Sequence, residues 1–446
     1  MTSAITFISI HHNQVKIETT TTDGSKYAWV MVIVATFALV VSNGLSIGGL
    51  PPFYNPMREE FVALGAVDAG RAESFIANAA NITFLMSGVF SLIGGWLVSR
   101  IGLRALMIVG CGMLGSGVML HSQAGSAEMV YLARVLMGAS LGFVGVTPCV
   151  VLVSNWFRTR RGTALGITLT GTSLGGSFVS LLAAPLIANF GWRVALLALS
   201  SIVWLVLLPC IIFFVREKPE ELQAVPATAI AASPAAATAA DRDGLTFRQA
   251  IRTPLFWVFA LCAAFVFYPI FTMLQQFILY VQTPKIGLSS STAAFGQSAL
   301  FAISVGGKFL AGYLSDKFRA VGVMVFFALL MFLSSLVLLD LTAGNALLVL
   351  LPFAIAYGGT WVMLQRLAAD FFGRREIGKI LGLITLIEVS GGAIGGRITG
   401  YLADQSGGDY TTAFYGVTVA AGLALLLTIA LSVLDKSQSK TILGRG

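Results

Sequence analysis

The chain has 446 residues, of which 57% are hydrophobic and only 11% charged, and its mean hydropathy is +0.86. A soluble domain carries about 25% charged residues, so this composition excludes a soluble globular protein. The formal charge of +8 is scattered as punctuation between apolar stretches rather than gathered into a stripe, which excludes a nucleic-acid surface.

Residues 1–26 are polar and Thr-rich, with no compact apolar core ahead of a cleavage site, so a cytoplasmic tail without a signal peptide is expected. Twelve apolar stretches follow, at 27–49, 74–98, 105–121, 129–153, 163–188, 193–215, 256–281, 292–314, 321–341, 346–368, 377–403 and 411–434. Each is close to the ~20 residues that cross a bilayer. Lipid-facing backbone has no water to bond, so these spans are expected to be helices. The alternating ten-residue strands of a membrane barrel are absent. Between spans 6 and 7, residues 216–252 open with Arg216-Glu217-Lys218-Pro219-Glu220-Glu221, continue as an Ala/Pro/Thr tract and end in Leu245–Arg252. The tract reads as a cytoplasmic linker. Its end reads as a short helix on the membrane surface, with Phe247, Ala250 and Ile251 on one face. Residues 435–446 form a second tail.

Loop charge sets the expected orientation. Loops after spans 2, 4, 8 and 10 hold ten basic residues: Arg100, Arg104, Arg158, Arg160, Arg161, Lys317, Arg319, Arg374, Arg375 and Lys379. Loops on the opposite side hold four, namely Arg58, Arg71, Arg193 and Lys285. The basic side stays in the cytoplasm, which puts both termini there. An internal repeat divides the chain: Gly95-Trp-Leu-Val-Ser-Arg100 returns 217 positions later as Gly312-Tyr-Leu-Ser-Asp-Lys317. Trp156-Phe157 with Arg160-Arg161 returns as Phe371-Phe372 with Arg374-Arg375. The expected architecture is an all-α membrane protein of two six-helix bundles, 27–215 and 253–434, with a cavity between them near the midplane.

Charges inside spans are costly and mark function. Lys308 lies eight residues before Asp316, about 12 Å from the end of span 8. Glu388 lies nine residues after Lys379, at a similar depth in span 11. One cavity at one height could take both. A snorkelling Lys308 and a fixed Lys308–Glu388 lock between spans 8 and 11 are the plainer alternatives. The repeat partner of Lys308 is Ser91, so the loop motif itself does not require a cation there. Arg397 is half a helical turn out of phase with Glu388 and is expected on another face. Arg134, four before Gly138, reads as structural, and Arg366 as interfacial. Asn43, Asn78, Asn81, Thr147, Gln275 and Gln276 either line the cavity or bond helix to helix. Tyr268 and Tyr357 are candidates to shape the pocket. Gly162, Gly166, Gly171, Gly175 and Gly176 stud span 5 and permit close, sliding contact. Cys111, Cys149, Cys210 and Cys262 all fall in spans, and neither a disulfide framework nor a metal site follows from their spacing. No cofactor is expected.

Gly95-Trp-Leu-Val-Ser-Arg-Ile-Gly-Leu-Arg104 resembles the cytoplasmic loop signature of the major facilitator superfamily. That resemblance implies gating and structural roles for Gly95, Arg100, Gly102 and Arg104. The family usually has Asp where this chain has Ser99, and Asp316 keeps the acid in the second copy. Asp23-Gly24-Ser25-Lys26-Tyr27-Ala28-Trp29 resembles the start of span 1 in the monocarboxylate transporter family. Asn155-Trp-Phe-Arg-Thr-Arg-Arg-Gly-Thr-Ala-Leu-Gly-Ile167 is similar to the segment leading into span 5 in that family and in oxalate–formate exchangers. Thr246–Trp257 is similar to the segment before span 7 in bacterial members. The resemblance implies that Lys308, where the family usually has Arg, holds a substrate carboxylate. It also implies that Glu388 matches an acidic position where the oxalate exchanger has Lys, and that Tyr357 matches an aromatic of span 10. The implied function is transport of a small organic monocarboxylate with a proton, Lys308 holding the anion, Glu388 carrying the proton, and Tyr357, Gln275, Asn43 and Thr147 completing the pocket. A monomer in a plasma membrane, of the bacterial inner-membrane kind, is expected. Anion exchange, export of amphiphilic compounds, and a non-transporting receptor or membrane enzyme remain open alternatives.

Overall fold

The computed structural model of the chain describes residues 26–68, 72–157, 160–217, 244–406 and 410–443. The Asp23-Gly24 signature, the tail before Lys26 and linker residues 218–243 lie outside them. Eleven helical segments among the described residues are long and apolar enough to cross a membrane. The longest, Arg161–Phe214, is two spans joined at Gly191. Gly191 has φ 78°, a left-handed conformation that folds the chain back and that residues with a Cβ adopt only at a cost. Twelve spans result.

Span 1 begins as Lys26–Asn43, passes through a π-helical turn at Gly44–Gly48 and resumes as Pro51–Ala63. Spans 2 and 3 are Ala72–Ile101 and Leu103–Ser122. Span 4 runs Ala127–Val144, breaks at Gly145 and continues as Val146–Trp156. Spans 7 to 12 are Pro254–Val281, Ser290–Lys317, Ala320–Val337, Ala346–Phe372, Ile377–Gln405 and Tyr410–Leu443. Side chains such as Leu181, Leu205 and Leu348 point outward, as expected where lipid replaces water.

Spans 1 to 5 pack on one another, as do spans 7 to 12. The two groups meet along two seams: span 2 against span 11, and span 5 against span 8. Both seams are tightest toward the end of the molecule that carries Arg100, Asp316 and the linker, called the linker end below. On the second seam, a Cβ placed on Gly166 would lie 2.8 Å from the Lys308 carbonyl oxygen and 3.1 Å from Gly312 Cα. Only a hydrogen side chain permits that approach, and it sets how close span 5 comes to the lysine.

The short helix before span 7, Phe247–Ala250, is closed by a capping box between Thr246 and Gln249. Sequence reasoning puts it on the membrane surface. The structure packs it on the protein: the Phe247 ring sits edge-on to Trp96 of span 2 at 5.5 Å, and the Phe247 N–H donates to Glu376 Oε2 at 2.5 Å. Leu245 N–H donates to Phe372 O at 2.9 Å, and Gly244 bridges to Gly373.

Because the span 5–span 8 seam has no room for a side chain at Gly166, Gly166→Val should overpack it by about 1–3 kcal/mol. The apparent melting temperature of the detergent-solubilised protein is then expected to fall by about 1–3 °C. An unchanged melt would show that the two spans do not meet there.

Candidate functional site

At the linker end, four side chains tie the two groups of helices together. Asp316, in the last turn of span 8, accepts hydrogen bonds from the backbone N–H groups of Gly162 (2.9 Å) and Thr163 (2.7 Å). These are unpaired donors at the start of span 5, where a helix presents its positive end, so a carboxylate fits there. Arg366 of span 10 donates to Asp316 at 2.6 Å and to Asp370 at 2.7 Å, and Arg161 of span 5 reaches Asp370 at 3.1 Å. Asp316 is where the repeat placed it. Arg366, read from sequence as interfacial, is the centre of this network. Arg161 was named from sequence only as a loop charge and part of the repeat, and Asp370 was not named.

The first copy of the loop motif does different work. Arg104 N–H donates to Glu217 at 3.0 Å, and its guanidinium donates to the Ile212 carbonyl. Both contacts stay within the first group of helices, while Arg100 is exposed. Gly102 has φ 82° and faces the Glu217 carboxylate. Gly95 packs directly on Gly378 of span 11. Beside it, the Lys379 ammonium lies 4.9 Å from the Trp96 ring centre and 2.5 Å from Glu376 Oε1. That ammonium, together with the Phe247 N–H, holds the Glu376 carboxyl below its ordinary range against the opposing effect of burial.

Deeper in, Lys308 is fully buried. Its Nζ donates to Thr172 Oγ1 at 2.6 Å and to Ser173 Oγ at 2.7 Å, both on span 5 across the seam. Ser173 also bonds Ser304, one turn before Lys308, at 2.9 Å. On its other side the ammonium lies 5.5 Å from the Tyr357 ring centre and 5.2 Å from that of Trp361, both on span 10. Two of its three donors are thus engaged by hydroxyls, and aromatic faces supply partial negative charge. Desolvating an ammonium costs several kcal/mol, and these neutral groups offset only part of it.

Glu388 is also buried, at 2% exposure. Its Oε1 accepts from Gln365 Nε2 at 3.4 Å. Among the described residues, no ion pair joins Lys308 to Glu388, which removes the lock as an account of them. They are related instead through span 10: Tyr357, Trp361 and Gln365 follow at intervals of four on one helical face, with the cation against the first two and the acid against the third. Three residues before Glu388, Thr385 pairs its hydroxyl with Thr147 of span 4 at 3.1 Å, across the other seam. Phe267 of span 7 packs on Trp361 at 5.1 Å and on Phe271 at 5.6 Å. Phe271 in turn meets Phe84 of span 2 at 4.8 Å, which roofs the far side. A small cavity near Gly94, Gly142, Pro148 and Gly378 is apolar and lies apart from both charges.

The remaining candidates spread out. Tyr357 is buried beneath Lys308, and Thr147 is buried at the seam. Asn43 is buried, with its Nδ2 lacking a protein partner. Gln275 is exposed beside Gly396, and Gln276 bonds helix to helix, donating to Gly396 O at 3.5 Å. Arg134 is buried, 5.7 Å from the Tyr54 ring centre. Arg397 is exposed, away from Glu388. Thr172, Ser173, Trp361, Gln365 and Thr385 escaped sequence reasoning, since small hydroxyls and aromatics in apolar spans carry no distinguishing signal. The interval of four from Tyr357 through Trp361 to Gln365 was the available clue.

Comparison with known proteins agrees with this fold. The family model described as Major Facilitator Superfamily matches residues 32–304 and 276–446. The chain is 28% identical over 417 residues to monocarboxylate transporter 13 of Rattus norvegicus, covering 90% of this chain and 89% of that one. It is 28% identical over 364 residues to the hexuronate transporter of Bacillus subtilis, covering 77% and 81%. Among solved structures, the proton:xylose symporter XylE superposes with a TM-score of 0.72 at 14% identity, covering 91% of this chain and 95% of that one. The human organic anion transporter MFSD10 does so with a TM-score of 0.68 at 16% identity, covering 91% and 99%. These two likenesses show the fold.

Replacing Asp316 by Asn removes the charge from its bonds to Gly162, Thr163 and Arg366, a loss of about 1.5–3 kcal/mol from the closed linker end. Ser304→Cys, placed in a background lacking the four native cysteines, reports on the seam. Its rate of reaction with a membrane-impermeant thiol reagent is expected to rise at least tenfold when Asp316→Asn is added. Equal rates would show that Asp316 does not hold the seam shut.

Proposed function

The chain belongs to the Major Facilitator Superfamily, and on that premise we propose that it is a secondary active transporter of small organic carboxylates, moved together with a proton by alternating access. One observation carries the reading. Lys308 is a wholly buried ammonium at the seam between the two groups of helices, surrounded by hydroxyls and aromatic faces, with no carboxylate paired to it. A charge at that depth without a counter-charge among the described residues is costly, and a bound anion would offset that cost. The likeness to proteins named as monocarboxylate and hexuronate transporters supports a carboxylate as that anion.

In this reading the linker end faces the cytoplasm, as the loop charges favour. The Asp316–Arg366–Asp370–Arg161 network and the two tight seams then close the inward path. A substrate arriving from outside passes the Phe84–Phe271 contact and offers its carboxylate to Lys308. Thr172 and Ser173 give up the ammonium as it turns to the anion, which releases span 8 from span 5. A carboxylate is a stronger acceptor than a hydroxyl, so the exchange is favourable. Glu388 takes the proton. Its link to the anion site runs through the Gln365 amide and the shared face of span 10, so the proton and the substrate act on one helix. Binding that is tightest in the intermediate between the two closed forms is what speeds the change of access.

Anion exchange is the second reading. It is favoured by the hydrogen bonds of Lys308 to Thr172 and Ser173, which hold the empty carrier shut and slow its return. Either mode leaves the protein a monomeric carrier in a plasma membrane, with its termini and linker in the cytoplasm.

Two measurements in proteoliposomes test the assignment. Lys308→Ala is expected to abolish uptake of labelled carboxylate while the protein still inserts and elutes as a single species. Normal uptake would remove Lys308 from the anion site. Glu388→Gln is expected to lose accumulation driven by an acid-outside gradient while retaining substrate exchange. If the variant still concentrates substrate against its gradient, Glu388 is not the proton site.

A further inference from the structure

Two buried polar atoms beside Lys308 and Glu388 have no hydrogen-bond partner in the protein: Nε1 of Trp361 and Oε1 of Gln365. They stand one helical turn apart on the face of span 10 that carries the cation and the acid. Gln365 is 1% exposed. Its amide is oriented with Nε2 toward Glu388, donating to Oε1 at 3.4 Å. The amide oxygen is therefore turned to the other side. The Trp361 ring is held by Phe267 at 5.1 Å and by the Lys308 ammonium at 5.2 Å, so its N–H is fixed in direction as well.

The two atoms are complementary in kind. Indole N–H is a donor only, and the amide oxygen is an acceptor only. Side chains four apart on a helix are neighbours, about 5–6 Å between Cβ atoms, so one small group can reach both. A methylene satisfies neither atom. A ketone oxygen satisfies Trp361 and leaves Gln365 bare. A hydroxyl accepts from the first and donates to the second. Elsewhere in the second half of the chain, the only other buried side-chain atom without a partner among the described residues is Gln297 Oε1, whose amide is tied to Leu274 O near the start of span 8.

The geometry points to a transporter that selects carboxylates bearing a hydroxyl, with the carboxylate on Lys308 and the hydroxyl bridging Trp361 Nε1 and Gln365 Oε1. This rests on the carboxylate reading above and narrows it. The separation fits a hydroxyl near the carboxylate end of the molecule, since Lys308 lies directly against the Trp361 ring. A site built to bond a hydroxyl rejects the analogue lacking it, because two buried polar atoms are then left unpaired. Trp361 and Gln365 become the specificity-determining pair.

The test is uptake into proteoliposomes of matched acids with and without hydroxyls: lactate against propionate, and gluconate against hexanoate, with pyruvate as the ketone. The wild-type chain is expected to show a KM at least tenfold lower for the hydroxy member of a pair, with pyruvate between. Trp361→Phe keeps the aromatic face for Lys308 and removes only the N–H. Gln365→Leu keeps the bulk and removes the amide oxygen. Each is expected to bring the hydroxy-to-deoxy ratio of KM close to unity. Carboxylates carried with no hydroxyl preference would overturn this inference and leave the carboxylate reading standing, as would a preference that neither substitution changes. Water bridging the two atoms in the loaded carrier gives the first of those results. If no acid of either kind is carried by the wild-type chain, the carboxylate reading fails and this one with it.

Discussion

A lone ammonium buried where two helical halves meet sets the terms for the rest of the molecule. Lys308 is not neutralised by an acid, so its stability in the closed form depends on dipoles from both halves: hydroxyls on span 5 and aromatic faces on span 10. That dependence ties the electrostatics of the site to the relative position of the halves. Parting the seam would strip the lysine of Thr172 and Ser173. The glycines that bring span 5 against span 8 serve this arrangement, since a wider seam would put the hydroxyls out of reach.

Glu388 is handled differently. It meets an amide rather than a cation, and that amide stands one helical turn from Trp361 on span 10. A single helix therefore carries the aromatics against Lys308, the amide against Glu388 and, at its linker end, Arg366 and Asp370. Small rotations of that helix would be felt at the lysine, at the acid and at the closing network together.

The spans were legible because a bilayer fixes their length and excludes charge, so that apolar runs and basic punctuation are unambiguous. The pairing of the halves was legible because the loop motif recurs, and the recurrence identified Asp316. Lys308 and Glu388 stood out for the cost of placing a charge at depth. What stayed hidden was rotation. A helix that is apolar on every side has no preferred phase in its sequence, so nothing showed that Thr172 and Ser173 face Lys308, or that Gln365 and not Lys308 meets Glu388. Arg366 looked like a boundary residue because Asp316, the partner that makes it a link between the halves, comes from another helix; Asp370, four residues further along span 10, was the one partner its spacing offered. The short helix at Phe247 was read from its own apolar face, which could not reveal that Trp96 was the surface it would cover.

The two ends of the connector between the halves are fastened separately. Trp156 Nε1 grips the Arg216 carbonyl at 2.9 Å and Asn155 the Glu217 carbonyl at 3.3 Å, while on the far side Gly244 and Leu245 are stitched to Gly373 and Phe372. Each anchor is made by the half it adjoins: span 4 holds Arg216 and Glu217, and the end of span 10 holds Gly244 and Leu245, so neither attachment relies on the opposite half.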